Sequence, residues 1–330
     1  MMKRRIVICA LCVCMLMSLC MLTSCNKGVV TSIYANADQY QIGAFEYNRE
    51  DVKSITVVWY CGNIEVQTSE EEILSVSESG TGLPLNEQMH YWLKEDGTLI
   101  IRFWESGLRA NVDENDKELT LQVPKEIDVS IITTTADVCL HQLSTSHLIV
   151  NTHSGDVETD SVVATGLDVT TTNGNVNIAS LTTVENAVIA TTSGDIAVDT
   201  LSVKNVSVSS TSGEIELGET VVQEKMKLFA VSGDMSVSSF SGTNTELKTV
   251  SGQIDAFFSS FSSANVESVS GNVYIKLPEE KGSTVYFETT SGIMEASSEY
   301  VHTLNNGCRF GSGEGVIRVE TVSATLHIDW

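Results

Sequence analysis

The sequence predicts an all-β protein whose main body is a right-handed, single-stranded β-solenoid (β-helix) of about ten coils, preceded by an irregular β cap. A short phrase returns through residues 129–319, for example as HSGDV at 153–157, TSGDI at 192–196 and VSGNV at 269–273. Successive phrases lie 19 to 23 residues apart. A near-constant period of this size is typical of a solenoid, in which each unit buries its apolar face by stacking on the next.

Apolar residues alternate with polar ones inside each repeat. They stand two and four residues after the repeat's glycine, as Ile196 and Val198 do, and another stands five residues before it, as Val150 does. This even local spacing indicates strands, because successive side chains of a strand point to opposite faces. A third apolar position, about seven residues after the glycine, predicts a third side to each coil.

A small residue and a glycine recur together at what we expect to be a tight corner. Thr or Ser stands three residues before most of the glycines, and we expect each glycine to supply a positive φ. Ala136 replaces the first glycine, and Gly315, in a looser phrase, is assigned to the last coil. The regular corner positions between them are Gly155, Gly174, Gly194, Gly213, Gly233, Gly252, Gly271 and Gly292.

A β-sandwich of short hairpins is the structural alternative, since turn signals every ten residues also suit that fold. A sandwich, however, has no reason to keep one residue type in the same column ten times over, whereas a stack of equivalent coils does. The solenoid is therefore the favoured interpretation.

The first 24 residues are predicted to be a lipoprotein signal peptide. Lys3, Arg4 and Arg5 precede an apolar run that is too short for an ordinary spanning helix. The segment ends in Leu-Thr-Ser-Cys at 22–25, which resembles the lipobox of bacterial lipoproteins and implies that Cys25 is lipidated. The alternative is an uncleaved anchor helix.

The rest of the chain is divided into three parts. Residues 25–44 are predicted to be a tether, 45–128 a set of irregular first coils with an N-terminal β cap, and 129–330 the regular repeats. Within the cap, the segment 90–105 is predicted to form a β-hairpin with its turn at Asp96-Gly97.

Charge and cysteine content exclude several classes of protein. Removal of residues 1–24 takes away three basic residues and no acidic one, which leaves sixteen basic against 43 acidic residues, a formal charge of −27. Such a charge argues against nucleic acid as a partner. Beyond Cys25 only Cys61, Cys139 and Cys308 remain, a trio at unrelated spacings that predicts neither a disulfide framework nor a metal site.

The chain resembles a family of candidate bacterial adhesins, which are extracytoplasmic β-solenoid domains often found in lipoproteins. The residues that carry the resemblance are QVPKEIDVSIITTTADVCL at 122–140 and the S-G-D-[VI]-x-[VI] phrases that follow. The resemblance spans roughly residues 45–325. It implies the architecture and a place outside the cytoplasm, and it says little about activity.

An acidic or amide residue follows most corner glycines. Stacked carboxylates about 4.8 Å apart could form a ladder of calcium ligands. The favoured interpretation is a solvated corner, because amides interrupt the column and Asp and Asn suit turns. The calcium candidates are Asp137, Asp156, Asp195 and Asp234.

Three of the four tryptophans precede the regular repeats, and exposed rings there could stack on sugars. Trp92 and Trp104 are the candidate glycan contacts, although buried rings would plug the end of the solenoid instead. Some β-solenoids are polysaccharide lyases or hydrolases, but the few basic residues of the repeats form no continuous column. We therefore expect no catalytic residues, no cofactor and no enzyme activity.

The sequence as a whole predicts a lipid-anchored, extracytoplasmic β-solenoid that acts as a non-catalytic surface module of adhesin type. Its partners would be the membrane, through Cys25, and a protein or glycan surface. The alternative is a carbohydrate-binding or carbohydrate-active β-helix protein.

Overall fold

The computed structural model describes residues 29–79, 82–111, 117–278, 282–296, 302–304 and 306–329. The predicted signal peptide and Cys25 lie outside these ranges. Strands dominate the described residues, with two short 3-10 helices at Ala37–Gln39 and Arg49–Asp51. No helix among the described residues has the length and apolar character needed to cross a bilayer.

The strands in chain order are β1 (Val29–Thr31), β2 (Gln41–Ile42), β3 (Phe45–Asn48), β4 (Ser54–Trp59), β5 (Asn63–Thr68), β6 (Ile73–Glu78), β7 (His90–Leu93), β8 (Thr98–Arg102), β9 (Arg109–Asn111), β10 (Glu118–Val123), β11 (Asp128–Thr133), β12 (Asp137–His141), β13 (Leu143–Asn151), β14 (Val157–Thr159), β15 (Val162–Thr170), β16 (Val176–Ala190), β17 (Ile196–Ser210), β18 (Ile215–Ala230), β19 (Met235–Thr249), β20 (Ile254–Ser260), β21 (Ser263–Ser268), β22 (Val273–Lys276), β23 (Ser283–Thr289), β24 (Met294–Ala296), β25 (His302–Leu304), β26 (Gly307–Phe310), β27 (Gly315–Thr321) and β28 (Leu326–Asp329).

Each regular coil has three sides that enclose one core. In the coil that follows Gly194, β17 runs along all of them: side A is 196–198, side B is 200–203, and side C is 205–210. Ile196, Val198, Leu201, Val203, Val206 and Val208 alternate with outward residues and are buried. This alternation fills the interior with one apolar layer per coil and confirms the third side that the sequence predicted.

Neighbouring coils pair in parallel and in register, so equivalent side chains form columns along the axis. On side A, Val157 pairs with Val176, Val176 with Ile196, and Ile196 with Ile215. The column continues through Met235 to Ile254. The β-solenoid prediction is therefore confirmed, and the sandwich alternative is wrong, because these residues share a single stripe.

Coils of unequal length differ at the corner between sides B and C. The register between β16 and β17 shifts between Thr183 and Asn186, and the same corner of β18 and β19 shifts between Val222 and Lys225. One extra residue can therefore be accommodated there without disturbing the inward columns on the three sides.

The corner glycines are required for close approach of the backbone. A Cβ built on any of the eight regular ones would overlap with the carbonyl oxygen of the corner residue in the adjacent coil, as Gly194 would with Gly174. The expectation of positive φ is wrong for these residues; among the stacked corner positions only Gly62, in the cap, has it, at 81°.

The hydroxyl residue three positions before the glycine completes the corner. The N–H of Gly155 donates to Thr152 Oγ1 at 2.9 Å, and the same bond joins Gly174 to Thr171 and Gly194 to Thr191. The hydroxyl thus satisfies a buried amide that faces no strand partner, which explains why a small polar residue occupies this inward position.

The last two coils are stacked in reverse chain order. β21 and β22 pair with β27 and β28, whose other edges pair with β23 and β24. The coil of residues 315–329 is therefore inserted between those of 263–276 and 283–296.

The assignment of Gly315 as a corner is consequently wrong. Leu326 occupies the column of Val273 and Met294, and a Cβ on Gly292 would overlap with the carbonyl oxygen of Ala324. The corner phrase of this coil is VSATL at 322–326, with alanine in place of glycine. Residues 315–321 lie instead on side C.

The first coils are reversed in the same way. β4 pairs with β11 on one edge and β8 on the other, and β5 pairs likewise with β12 and β10. Counted along side A, the described residues form twelve parallel rungs, from β10 to β24. Antiparallel strands β2, β3, β6 and β7 cover the outer rungs, and the predicted hairpin between β7 and β8 is confirmed.

The predicted tether at 25–44 is too long. β1 pairs with β9, and β2 pairs with β7, so residues from Val29 onward are already part of the cap. The N–H of Gly107 also donates to the carbonyl oxygen of Ser32 at 2.7 Å.

A buried lysine fills the centre of the cap. Lys117 Nζ lies 3.0 Å from Glu78 Oε2, donates to the carbonyl oxygens of Glu87 and Phe103, and lies 4.1 Å from the centre of the Phe103 ring. Burial lowers the pKa of Lys117, while the Glu78 carboxylate opposes that shift. The charged amine is thus held by an ion pair that has little contact with water.

Replacement of a corner glycine is expected to destabilise the stack strongly. Gly194→Ala should lower the free energy of unfolding by about 3 kcal/mol, because the new Cβ meets fixed backbone. Gly166→Ala is the matched control, since its Cβ would lie 3.1 Å from the His147 side chain and no closer than 3.8 Å to a backbone atom, the carbonyl oxygen of Asn186. Urea unfolding followed by circular dichroism measures both, and equal midpoints for the two variants would contradict the corner argument.

Loss of the buried amine should cost more than loss of the whole ion pair. Lys117→Met leaves the Glu78 carboxylate buried without a cation, and we expect a loss of about 3 kcal/mol. Lys117→Met combined with Glu78→Gln should recover part of that loss in thermal unfolding. A double variant no more stable than the single one would refute this account of the cap.

Candidate functional site

The acidic column at the glycine corner forms a hydrogen-bonded ladder along the axis. Asp137 Oδ1 accepts from the N–H of Asp156 at 2.8 Å, and Asp156 Oδ1 accepts from the N–H of Asn175 at 2.7 Å. Asn175 continues the ladder to Asp195, and Asp195 to Glu214. Each short side chain therefore binds the backbone of the next coil.

The ladder accounts for the residue types in this column. Asp234 reaches Gln253, but no equivalent bond extends from the longer side chains of Glu214 and Gln253 among the described residues. The calcium candidates Asp137, Asp156, Asp195 and Asp234 each commit one carboxylate oxygen to a neighbouring amide. The described part of the chain contains no group of three or more His, Cys, Asp or Glu side chains arranged to hold a metal ion.

The two tryptophans proposed as glycan contacts have different environments. Trp104 is fully buried, and its ring lies 5.0 Å from that of Phe103. It plugs the end of the core and cannot contact a glycan without a rearrangement of the cap. Trp92 is half-exposed, with the ring of Tyr40 at 5.7 Å and Lys94 Nζ at 5.6 Å, so only Trp92 stays available to a ligand.

A groove of about 730 Å³ lies on the outward face of side A at the C-terminal end of the stack. We call it the distal groove. Its centre is a ring pair, Tyr274 and His327, whose centroids lie 4.5 Å apart with an angle of 8° between the planes. The pair forms because β22 and β28 are adjacent and Tyr274 pairs directly with His327.

Charged groups flank the ring pair on both sides along the axis. His327 Nδ1 lies 3.1 Å from Glu295 Oε2 in the outermost rung. On the other side stand Asp255, whose carboxylate accepts from Gln253 Nε2 at 2.8 Å, and Phe257, whose ring lies 5.4 Å from Lys276 Nζ. The groove thus combines two aromatic rings with carboxylate acceptors and one ammonium donor, a combination that suits binding of a polar ligand with apolar portions.

Sequence reasoning missed the distal groove because of the reversed coil order. His327 lies 53 residues after Tyr274 and was assigned to no column while Gly315 was taken as the corner. The phrase VSATL at 322–326 was the available signal, because it places His327 three residues after its corner, as Tyr274 lies three after Gly271.

A family model for Toastrack DUF4097 matches residues 52–258 and, again, 184–329. The chain belongs to the Toastrack DUF4097 family. The two overlapping matches reflect the repetitive build of the Toastrack domain, since one set of coils resembles another.

Three solved structures are similar to the Toastrack chain. A candidate cell adhesion protein from Clostridium sporogenes shares 13% identity over 88% of this chain and 99% of its own, with a TM-score of 0.21. Candidate adhesins from Parabacteroides merdae and Parabacteroides distasonis share 12% and 10% identity over 88% and 87% of this chain and 96% and 97% of their own, with TM-scores of 0.44 and 0.38. No curated protein matches the chain.

Removal of one carboxylate from the corner ladder should weaken the stack without any role for calcium. Asp195→Ala loses the bond to the Glu214 amide, so we expect a loss of about 1 kcal/mol in the free energy of unfolding. Glu214→Ala, in the next coil of the same column, should change it by less than about 0.5 kcal/mol. The unaltered protein should have the same midpoint temperature of thermal unfolding in EDTA and in calcium. A higher midpoint temperature in calcium would contradict the ladder interpretation.

Proposed function

We propose that this Toastrack protein is a lipid-anchored, extracytoplasmic rod that acts as a non-catalytic binding module, with its binding surface in the distal groove. The observation that carries the proposal is the separation of the two ends. Strands β1 and β2, the first described strands after Cys25, belong to the cap at one end, whereas the groove occupies the other. The anchor and the binding surface are thereby assigned to opposite ends of one rigid stack.

The length of the stack supports this arrangement. Side A passes through nine steps from the rung of β10 to that of β22, which at about 4.8 Å per step places the ring pair about 40 Å from the capped end. A rod attached through Cys25 would hold the groove well clear of the membrane, where a partner on another surface can reach it.

The formal charge and the chemistry of the groove limit the classes of molecule that the protein can bind. A mature charge of −27 repels nucleic acid, so the partner we propose is a protein or a glycan. The ring pair favours the glycan as the more specific candidate, because sugar C–H faces stack on aromatic rings while hydroxyl groups bond to flanking carboxylates. The same features serve binding, and the proposal assigns no catalytic step to them.

Binding through the distal groove is tested with a glycan array probed with the mature protein. Tyr274→Ala removes one ring of the pair and should weaken any glycan signal about tenfold, since an aromatic stacking contact is worth roughly 1 kcal/mol or more. Tyr286→Ala is the matched control, because Tyr286 is an exposed tyrosine on side C of the outermost coil. Equal losses in both variants, or none in either, would rule out the groove as the binding site.

Anchoring is tested separately by fractionation of cells that express the full chain. The unaltered protein should remain with the membrane fraction and carry the mass of a lipid on Cys25 after signal cleavage. Cys25→Ser should be released or retained as an unprocessed precursor without lipid. Recovery of an unlipidated, soluble wild-type protein would refute the lipid anchor.

A further inference from the structure

The end of the rod nearest to Cys25 has an outer surface that is unusually rich in apolar and aromatic side chains. We call it the proximal face and define it by Ile33, Tyr34, Tyr40, Ile42 and Trp92. The rings of Tyr34 and Tyr40 lie 4.6 Å apart, and those of Tyr40 and Trp92 lie 5.7 Å apart. Ring contacts therefore join Tyr34, Tyr40 and Trp92, and Ile33 and Ile42 lie one and two residues along the chain from this cluster.

The patch is exposed although its residues are of the kind that proteins bury. Ile33 is 82% exposed, more than any other large apolar residue among those described, and Ile42 is also exposed. Tyr34, Tyr40 and Trp92 are each half-buried. Leu85, in the loop before β7, is a further exposed residue of the cap at 67%. Apolar patches of this kind usually mark a surface that meets another phase or a partner.

The patch is rigidly attached to the cap. The N–H of Tyr34 donates to Ser106 Oγ at 3.0 Å, and its phenol donates to the carbonyl oxygen of Trp104 at 3.0 Å. Burial raises the pKa of Tyr34 to about 12, so the phenol keeps its proton and this bond at any physiological pH. These two bonds fix the Tyr34 ring to the cap.

The distance to Cys25 leaves little freedom. Only residues 26–28 separate Cys25 from β1, which is paired with β9. Four peptide units span at most about 14 Å, because fully extended chain covers about 3.4 Å per residue. The headgroup region on each side of a bilayer is roughly 5 to 8 Å thick, so a lipid on Cys25 holds the cap next to the headgroups.

The chemistry of the proximal face matches a zwitterionic headgroup layer. Tyrosine and tryptophan rings partition to membrane interfaces because each combines an apolar body with a polar tip. Arg102 lies 5.0 Å from the Tyr34 ring centre and Lys94 Nζ 5.6 Å from that of Trp92, which places cations within reach of lipid phosphates. The large negative charge of the whole protein argues against attraction to an anionic surface.

We infer that the proximal face docks on the lipid headgroup layer, with Ile33 and Trp92 inserted among the headgroups, so that the capped end of the rod is held against the membrane rather than hanging from a flexible tether. This inference rests on the proposed lipidation of Cys25. It adds a second, non-covalent attachment at the end of the rod opposite to the distal groove.

The test uses the lipidated protein in phosphatidylcholine vesicles whose acyl chains carry bromine near the headgroup. Bromine quenches tryptophan fluorescence only over short distances, Trp59 and Trp104 are fully buried in the cap, and Trp330 directly follows β28, a strand of the distal groove. We expect quenching that is lost in Trp92→Phe. Identical quenching in the unaltered protein and in Trp92→Phe would overturn the inference.

A second pair of variants separates docking from anchoring. Ile33→Asp should reduce the quenching of Trp92 by half or more while the lipid keeps the protein on floating vesicles. Val184→Asp, which alters a residue 68% exposed on the corner between sides B and C, is the matched control and should leave the quenching unchanged. Protein that floats without Trp92 quenching refutes the docking alone, whereas protein that does not float refutes both the anchor and the docking.

Discussion

Backbone atoms of successive coils meet at the glycine corner, and the remaining architecture depends on that contact. The carbonyl oxygen of one corner occupies the place where the next corner residue would carry a Cβ. With the backbones this close, a Thr hydroxyl three residues earlier can bond to the glycine amide, and an Asp or Asn one residue later can reach the amide of the next coil. The same small step along the axis keeps the inward Val, Ile and Leu columns in van der Waals contact. Residue type at three positions of the repeat, the glycine, the hydroxyl residue before it and the Asp or Asn after it, therefore follows from one steric constraint.

A solenoid exposes an unpaired strand edge at each end, and in this chain the order of two neighbouring coils is exchanged at both ends. At the C-terminal end the chain skips one rung and then returns to fill it with β27 and β28, and at the other end the first coil, β4 and β5, lies between the two coils that follow it in the chain, so a coil near each terminus is paired on both edges. An inserted strand of this kind is hydrogen-bonded on both sides and does not fray as a terminal edge would. At the first end, antiparallel strands and a buried Lys117–Glu78 ion pair close the core, and Trp59, Phe103 and Trp104 fill it. That end is thereby made apolar inside and aromatic outside.

Features repeated along the chain were predictable from sequence, and features produced by the order of the coils were not. The period and the alternation predicted the solenoid and its inward columns, because every coil repeats the same local geometry. The assignment of Gly315 failed, since a translational pattern carries no information on which coil lies next to which. Positive φ was the wrong reason for the corner glycines, because close approach of a neighbouring coil is not visible in a single repeat. The pairing of Tyr274 with His327 was not predictable, because it depends on the reversed order of the last two coils.

The account as a whole rests on the axial stacking of equivalent corners, and a distance between two of them measures it most directly. Ser154 and Ser270 are both exposed corner residues, and six coils separate them. Each can be replaced by cysteine and spin-labelled. Pulsed electron–electron double resonance should give a single distribution of label-to-label distances centred near 29 Å, because six steps of about 4.8 Å separate the two corners. The label linkers set the width of that distribution. A centre below about 20 Å or above about 40 Å would mean that these corners do not follow one another along a single axis, and the stacked account would be wrong.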